Sequence, residues 1–250
     1  MATPAPILMV KTFLLYSSIE IMIATLFRSL KVLFITLGHA LSYRFKVLFG
    51  SKVSFQTSAH EWAHSIVKHA DISIEVFGKE HLSEKAVYIV NHRSSADIYV
   101  LLEIMPKESV FVYKHELLNH PLIGIALRMS PYIPVDRSSV KASAMSILKA
   151  KSTIQSGQSI IIFPEGTWSY PPHDILPFKQ GSLLMASKTG VPIIPIAMIG
   201  TETITRPDGL FIHSGKVKVH IGKPHLPESH GKDQAEYLRN IMQELMNGIQ

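Results

Sequence analysis

Hydrophobic and polar positions divide the chain into two regions with different periodicity. From residue 7 to residue 49 apolar side chains follow one another with few interruptions, among them Glu20, Arg28 and Lys31. After residue 58, short apolar runs alternate with longer amphipathic stretches. Such alternation is typical of an α/β sheet whose strands are connected by helices. We therefore predict an N-terminal membrane-interfacial helical segment over residues 1–58 and an α/β domain over residues 59–250.

The pattern of apolar and polar residues after residue 58 predicts a mixed, largely parallel central sheet flanked by helices. Apolar runs that end at polar residues predict buried strands, and three- to four-residue periodicity predicts helices. Strands are expected at residues 72–76, 86–90, 110–113, 159–163, 193–199 and 217–221, and a further strand ends near residue 135. Helices are expected at residues 59–70, 138–155, 181–189 and 233–246. One more helix begins directly after residue 95, and another ends at residue 129. In such sheets, catalytic and ligand-binding residues usually lie on loops at the carboxyl ends of strands.

The N-terminal segment predicts two membrane-associated helices. Neither of its two apolar stretches is as long and clean as a membrane-spanning helix usually requires, and Glu20 falls inside the first. We therefore expect both helices to lie in or dip into one leaflet, with basic residues at the headgroups. These are Arg28, Lys31, Arg44, Lys46 and Lys52. The alternative is a pair of ordinary core helices.

Composition and charge favour a lipid-associated protein over a nucleic-acid-binding one. Hydrophobic residues make up 46% of the chain, charged residues 18%, and the mean hydropathy is +0.20. The net charge of +6 fits an anionic partner. Lys and Arg are scattered without a basic run, so we expect a membrane surface or a phosphorylated substrate and no nucleic acid. The chain has no cysteine, which excludes disulfides and thiolate chemistry.

The strongest candidate for chemistry is the pair His92 and Asp97, which directly follows the apolar run 86–90. Two positions five apart on one helix would point about 140° away from each other. The pair therefore meets only if His92 lies on the strand-to-helix turn and Asp97 in the first helical turn. A carboxylate there fixes the imidazole tautomer and leaves the other nitrogen free as a base. The alternative is a surface histidine near an aspartate that favours the helix dipole.

Residues 60–64, His-Glu-Trp-Ala-His, match the short zinc-peptidase pattern in which two histidines one turn apart bind the metal. The extended pattern is absent, because Val67 and Ala70 stand where a glycine and a third histidine would be needed. We therefore expect no metal site, and keep a zinc peptidase through His60 and His64 as a remote alternative.

Other candidate residues stand at the ends of predicted strands. Glu165, Gly166 and Thr167 form a rigid turn after Pro164, where a carboxylate and a hydroxyl can face a ligand. Cations follow two other strands, and such side chains can bind phosphate; they are Lys114 and Arg137. An apolar strand entry could line an acyl pocket or belong to the core; it consists of Val191, Pro192 and Ile193.

These blocks, in this order, resemble the glycerolipid acyltransferase family, specifically the bacterial 1-acyl-sn-glycerol-3-phosphate acyltransferases. The resemblance covers roughly residues 72–200. It is carried by Asn91 to Asp97, Ile133 to Arg137, Phe163 to Thr167 and Val191 to Ile196, with shorter segments around Lys114 and at 176–181.

The resemblance implies an enzyme in which His92 removes the proton from an acceptor hydroxyl while Asp97 holds the imidazole. Lys114 and Arg137 would then bind the acceptor phosphate, and Glu165 with Thr167 would position the glycerol. Backbone N–H groups near Gly166 would stabilise the oxyanion. The donor would be acyl-CoA or acyl-carrier protein, used as a co-substrate, with no cofactor. The resemblance also implies a place at the cytoplasmic face of the inner membrane, monotopic or peripheral.

One departure from the family pattern concerns the acceptor. Many members have Arg after Glu-Gly-Thr, where this chain has Trp168. A bidentate phosphate ligand is thereby replaced by a flat apolar ring. Either Arg137 and Lys114 suffice for the phosphate, or the acceptor is another lipid, such as a lyso-aminolipid. We also keep glycerol-3-phosphate as an alternative acceptor.

Overall fold

A computed structural model describes residues 5–121, 123–136, 139–169, 175–206, 211–227 and 233–248, with side chains from residue 19 onward. The helices are α1 (Ala5–Leu48), α2 (Phe55–His69), α3 (Ala96–Ile104), α4 (Ile123–Met129), α5 (Val140–Gln155), α6 (Gln180–Lys188), α7 (Thr201–Ile204) and α8 (Gln234–Asn247). The strands are β1 (Ile72–Phe77), β2 (Val87–Val90), β3 (Ser109–Lys114), β4 (Ile133–Val135), β5 (Ser159–Ile162), β6 (Ile193–Ile199) and β7 (Gly215–Ile221). Two 3₁₀ turns lie at Lys79–His81 and His115–Asn119.

The seven strands form one sheet in the order β1-β7-β6-β2-β5-β3-β4. All neighbouring pairs are parallel except β6 and β7. The carboxyl ends of β6, β2, β5, β3 and β4 therefore share one edge of the sheet. The predicted mixed, largely parallel sheet with flanking helices is confirmed.

Both faces of the central strands are buried, which is why β2 and, after Ser159, β5 are apolar at consecutive positions rather than alternating. Tyr88 and Val90 pack on one face against α2 and α3. Val87 and Ile89 pack on the other face against α5, α6 and α8. The sheet is thus a rigid central layer, and the loops at its carboxyl edge start from fixed positions.

The N-terminal segment is one continuous helix, so the prediction of two helices is wrong. The charges at Arg28 and Lys31 do not interrupt α1, because Arg28 turns inward and pairs with Asp71 at 3.6 Å. Within Ile19–Leu48, a stretch of 18 residues has a mean hydropathy of 1.7 with 11% of its residues buried, and by length and composition alone this helix could cross a membrane. The domain boundary predicted after residue 58 falls in the first turn of α2 and stays a prediction.

The inward face of α1 contacts the rest of the chain through polar bonds and through apolar side chains that pack on the core. Trp62 Nε1 donates to Thr36 Oγ1 at 3.1 Å, and the backbone N–H of Ile212 donates to Ser29 Oγ at 2.9 Å. Val32 is buried in the core. The outward face is exposed and apolar, with Phe27 and Phe34 each 69% exposed.

Candidate active site

The loop between β2 and α3 places His92 beside Asp97. The His92 Nδ1–H donates to Asp97 Oδ2 at 2.6 Å. Asp97 lies in the first turn of α3 and is fully buried. The predicted strand-to-helix turn therefore brings the pair together in the geometry that a base and its orienting carboxylate require.

Backbone groups hold the Asp97 carboxylate in place. Its Oδ2 atom also accepts the N–H groups of Arg93 at 2.7 Å and Ser94 at 3.1 Å. Free N–H groups at a helix start commonly find a side-chain acceptor. Here the Ser94 hydroxyl accepts the N–H of Ala96 at 3.1 Å, while the N-cap residue Ser95 makes no side-chain cap bond. The Asp97 carboxylate instead binds the N–H groups of the loop before the helix and orients the imidazole.

Asn91 ties the start of the loop to β6. Its Nδ2 donates to the Met198 carbonyl at 2.9 Å, and its Oδ1 accepts the Met198 N–H at 2.7 Å. The side chain thereby takes the place of a strand residue after β2 has ended. The sequence analysis assigned no role to Asn91. Its position directly before His92, at the end of a buried strand, is the feature from which a structural role could have been predicted.

Glu165 supports His92 from the neighbouring loop after β5. Its Oε1 accepts the backbone N–H of His92 at 2.9 Å, and its Oε2 accepts that of Leu176 at 2.8 Å. The side chain is 1% exposed. Burial raises the pKa of Glu165, and the two N–H bonds act in the opposite direction. This carboxylate is committed to the chain itself, so its predicted contact with the glycerol stays a prediction that the geometry does not favour.

Two aromatic rings and the backbone of Ser169 complete the surroundings of His92. Its ring stacks on Phe163, with centroids 4.0 Å apart and planes at 18°. The backbone N–H of Ser169 donates to the His92 carbonyl at 2.8 Å. Trp168 Nε1–H donates to His92 Nε2 at 2.8 Å. The sequence spacing of these residues could not predict the Phe163 stack or the bonds from Ser169 and Trp168, because each contact joins residues more than 70 positions apart.

The other predicted residues are distributed unevenly around this site. Lys114 ends β3 at the same edge of the sheet and is exposed. Gly166 and Thr167 lie in the β5 loop; Gly166 has a φ of 67°, and its N–H donates to the Phe163 carbonyl at 3.2 Å within the turn. That N–H is therefore already used, and an oxyanion needs other donors. Arg137 lies outside the described residues.

The predicted acyl-pocket residues are not brought to His92. Ile193 begins β6 and pairs with Val87 at the beginning of the parallel strand β2, so it marks the opposite edge of the sheet. Ile193 is fully buried in the core, and Val191 packs against the same cluster. The Pro192 carbonyl accepts the Val87 N–H at 2.9 Å. The assignment stays a prediction that the fold does not favour.

The zinc alternative gains no support from the geometry. His64 Nδ1 pairs with Glu103 Oε1 at 3.0 Å. Burial is the main cause that lowers the pKa of His60, whose buried Nε2 has no hydrogen-bond partner in the described part of the chain. Among the described residues, no group of three or more His, Cys, Asp or Glu side chains is placed to hold a metal ion.

Comparisons with known proteins point to one family of enzymes. The family model described as Acyltransferase matches residues 73–199. A coconut (Cocos nucifera) 1-acyl-sn-glycerol-3-phosphate acyltransferase is 34% identical over 152 residues, which cover 60% of this chain and 49% of that protein. The enzyme of that name from Saccharomyces cerevisiae is 30% identical over 185 residues, covering 71% and 61%. The chain matches about half the length of the first plant relatives.

A solved structure shares the fold. The crystal structure of the 1-acyl-sn-glycerophosphate acyltransferase PlsC from Thermotoga maritima superposes with a TM-score of 0.76. The two chains are 24% identical, and the match covers 91% of this chain and 97% of the other. At that identity the likeness concerns the fold alone.

Proposed function

The chain belongs to the acyltransferase family, and from this premise we propose that it moves a fatty acyl group from an acyl thioester to 1-acyl-sn-glycerol-3-phosphate, forming phosphatidate. The observation that carries the proposal is the 2.6 Å bond between His92 Nδ1 and the buried Asp97 carboxylate. It leaves Nε2 as the nitrogen that can accept a proton. Curated relatives bear the name of this activity.

The proposed reaction is a direct transfer without an acyl-enzyme. The acceptor hydroxyl gives its proton to His92 Nε2 as its oxygen attacks the thioester carbonyl carbon. The new C–O bond forms, the C–S bond breaks, and the leaving thiolate takes the proton back from Nε2. Asp97 stabilises the imidazolium that exists between these two proton transfers. Acyl-CoA and acyl-carrier protein are both candidate donors, and no cofactor is required.

Cations at the carboxyl edge of the sheet would bind the acceptor phosphate. Lys114 ends β3, which is separated from β2 only by β5. Neighbouring strands lie about 4.8 Å apart, so Lys114 starts on the order of 10 Å from the His92 loop. That separation suits a substrate whose phosphate and reacting hydroxyl are several bonds apart. Arg137 is proposed for the same role from its place in the family pattern.

The exposed apolar face of α1 would bind the protein to the membrane that supplies its substrate. Phe27, Phe34 and Leu41 are each more than 60% exposed on this face. A contiguous apolar surface of this kind marks a membrane or protein contact. Both the lyso-lipid and the product are amphiphiles, so lipid is the occupant that fits the proposed reaction. We place the catalytic domain at the cytoplasmic face of the inner membrane.

A second acceptor class is favoured by one observation, the indole of Trp168 beside His92. It stands where many members of the family have Arg, and an indole offers no charge to a phosphate. An acceptor without that phosphate, such as a lyso-aminolipid, would then replace the lyso-phospholipid while the His92 chemistry stays the same.

The test is an acceptor panel with purified full-length protein in mixed micelles. Thiol release and the lipid product are measured with acyl-CoA and with acyl-carrier protein, each with 1-acyl-sn-glycerol-3-phosphate, glycerol-3-phosphate or a lyso-aminolipid. We expect phosphatidate and thiol release that depends on the lysophosphatidate. Product with only another acceptor would overturn the substrate, and no acyl transfer to any of them would overturn the activity.

A matched pair of variants tests phosphate binding. Lys114→Ala is expected to raise the KM for lysophosphatidate several-fold with little change in kcat, since the lost contact is the same in ground and transition states. Lys107→Ala removes a cation from the loop at the opposite end of β3 and should leave the KM unchanged. Equal KM values for the two variants would contradict the role of Lys114.

A further inference from the structure

The indole of Trp168 covers the nitrogen of His92 that the reaction needs. Trp168 Nε1–H donates to His92 Nε2 at 2.8 Å, and the two rings meet edge to face at 76° with centroids 5.8 Å apart. On the other side of the imidazole, Nδ1 faces the Asp97 carboxylate. With an acceptor at Nδ1 and a donor at Nε2, the neutral ring carries its proton on Nδ1 and its lone pair on Nε2.

One lone pair cannot serve two donors at once. A hydroxyl that is to be deprotonated must first donate its hydrogen bond to Nε2, the position that the Trp168 N–H already occupies. The structure is therefore a covered state of the base. The acceptor hydroxyl, or a water molecule, reaches Nε2 only after the indole has moved.

In the β5 loop, the residues on either side of Thr167 and Trp168 are fixed to the backbone of His92. Glu165 and Ser169 are each 1% exposed and are bonded to the backbone of His92. Between these two anchors, Thr167 is exposed and Trp168 is 37% exposed. Rotation of the indole about its own side-chain bonds thus uncovers Nε2 without disturbing the anchors.

We propose that Trp168 is a gate that favours the acceptor hydroxyl over water; this inference rests on the proposed function. When a thioester is bound without acceptor, the indole occupies Nε2 and prevents His92 from activating water. The reaction thereby suppressed is hydrolysis: water gives a proton to Nε2, its oxygen bonds to the acyl carbon, the C–S bond breaks, and the thiolate leaves with that proton. The bound lyso-lipid displaces the indole, so the base is uncovered when the correct nucleophile is present.

The first test compares Trp168→Phe with Trp62→Phe. Both variants keep an aromatic ring and lose one indole N–H; Trp62 donates to Thr36 in the α1–α2 contact and does not touch His92. For Trp168→Phe we expect roughly a two- to tenfold rise in thiol release without acceptor, the effect of one lost hydrogen bond. A fall of similar size is expected in the KM for the acceptor. Trp62→Phe should leave the ratio of hydrolysis to transfer at the wild-type value.

The second test follows the indole itself. Trp62→Phe leaves Trp168 as the single tryptophan, because the chain has two. Titration with lysophosphatidate in the absence of a thioester is expected to shift the Trp168 emission maximum, since the indole exchanges its imidazole acceptor for another environment. The same titration in Trp62→Phe/His92→Ala, which lacks that acceptor, should give a smaller shift.

The outcomes separate the gate from the proposed activity. If Trp168→Phe keeps the wild-type ratio of hydrolysis to transfer, or if the shift is equal with and without His92, the gate is overturned while acyl transfer by the wild type stands. If the wild type transfers acyl groups to none of the acceptors, the proposed function fails first, and the gate fails with it.

Discussion

Polar side chains in and around the loop that follows β2 are hydrogen-bonded within the chain, whereas apolar side chains on the outward face of α1 are exposed. In the loop, the buried Asp97 carboxylate accepts three N–H groups, and both oxygens of Glu165 accept backbone N–H groups. On α1, Phe27 and Phe34 are each 69% exposed and pack against no core. The bonds of the loop come from within the chain, although Asp97 Oδ1 is buried without a hydrogen-bond partner in the described part of the chain. The exposed apolar face of α1 is instead left for surroundings that the described chain does not supply. Substitutions should therefore act on chemistry and stability in the loop, and on membrane binding in α1.

The largest effect is expected at Asp97. Asp97→Asn puts a neutral amide beside His92, so that the imidazole is no longer held in the required tautomer and its charged form is no longer stabilised. We expect kcat for acyl transfer to fall on the order of 10³-fold. The control is Ser95→Ala, because the exposed N-cap Ser95 makes no side-chain cap bond. A kcat for Asp97→Asn within tenfold of wild type would show that the pair does not act as described.

The next effect concerns α1. The double variant Phe27→Ser/Phe34→Ser is expected to weaken binding to anionic lipid vesicles by roughly 100-fold or more, since each buried Phe contributes about 1.5–3 kcal/mol. Its free energy of unfolding in detergent should stay near wild type. Val32→Ser, at a site only 5% exposed on the same helix, should instead destabilise the fold by about 1–3 kcal/mol. Vesicle sedimentation and chemical unfolding measure both, and undiminished sedimentation of the double variant would refute a lipid-facing α1.

A smaller effect is expected at Glu165. In Glu165→Gln the amide N–H₂ must face the backbone N–H of either His92 or Leu176, so one buried donor loses its acceptor. This should lower the free energy of unfolding by about 1–3 kcal/mol and reduce kcat, because the His92 backbone shifts. Glu103→Gln, which breaks the partly exposed pair with His64, should cost at most about 1 kcal/mol. Equal free energies of unfolding for the two variants would contradict the positioning role of Glu165.

The smallest effect is a pH dependence of stability at His60. Burial, with a contribution from Lys107, holds the pKa of His60 below its usual 6.5. As the pH falls below that value, the unfolded chain takes up a proton that the folded chain does not, so the free energy of unfolding decreases. His60→Gln should show a shallower decrease between pH 7 and pH 5 and no such difference at pH 8. Parallel curves for the variant and the wild type would contradict this.

The sequence predicted what depends on local periodicity. The alternation of apolar runs and amphipathic stretches was enough for the sheet and its flanking helices. The spacing of His92 and Asp97 predicted their contact, because only four residues and one turn lie between them. The antiparallel direction of β7 beside β6 could not be predicted, since strand direction depends on how distant segments pack.

The remainder of the site depends on contacts between distant loops. Glu165 was expected to face a ligand, but its direction follows from the N–H groups of His92 and Leu176, which only the folded chain brings to it. Val191 to Ile193 were assigned to the site by motif, while the register of β6 puts them at the other edge of the sheet. Trp168 was noticed for the arginine it replaces, and its bond to His92 joins residues 76 apart.

The most direct test of the central claim is the rate of lysophosphatidate acylation by His92→Ala. The variant is compared with wild type at equal amounts of folded, membrane-bound protein, with phosphatidate measured as product. We predict a fall in kcat on the order of 10³-fold or more, because no other described group holds an acceptor nitrogen against Asp97. Phosphatidate formed at the wild-type rate by His92→Ala would contradict it.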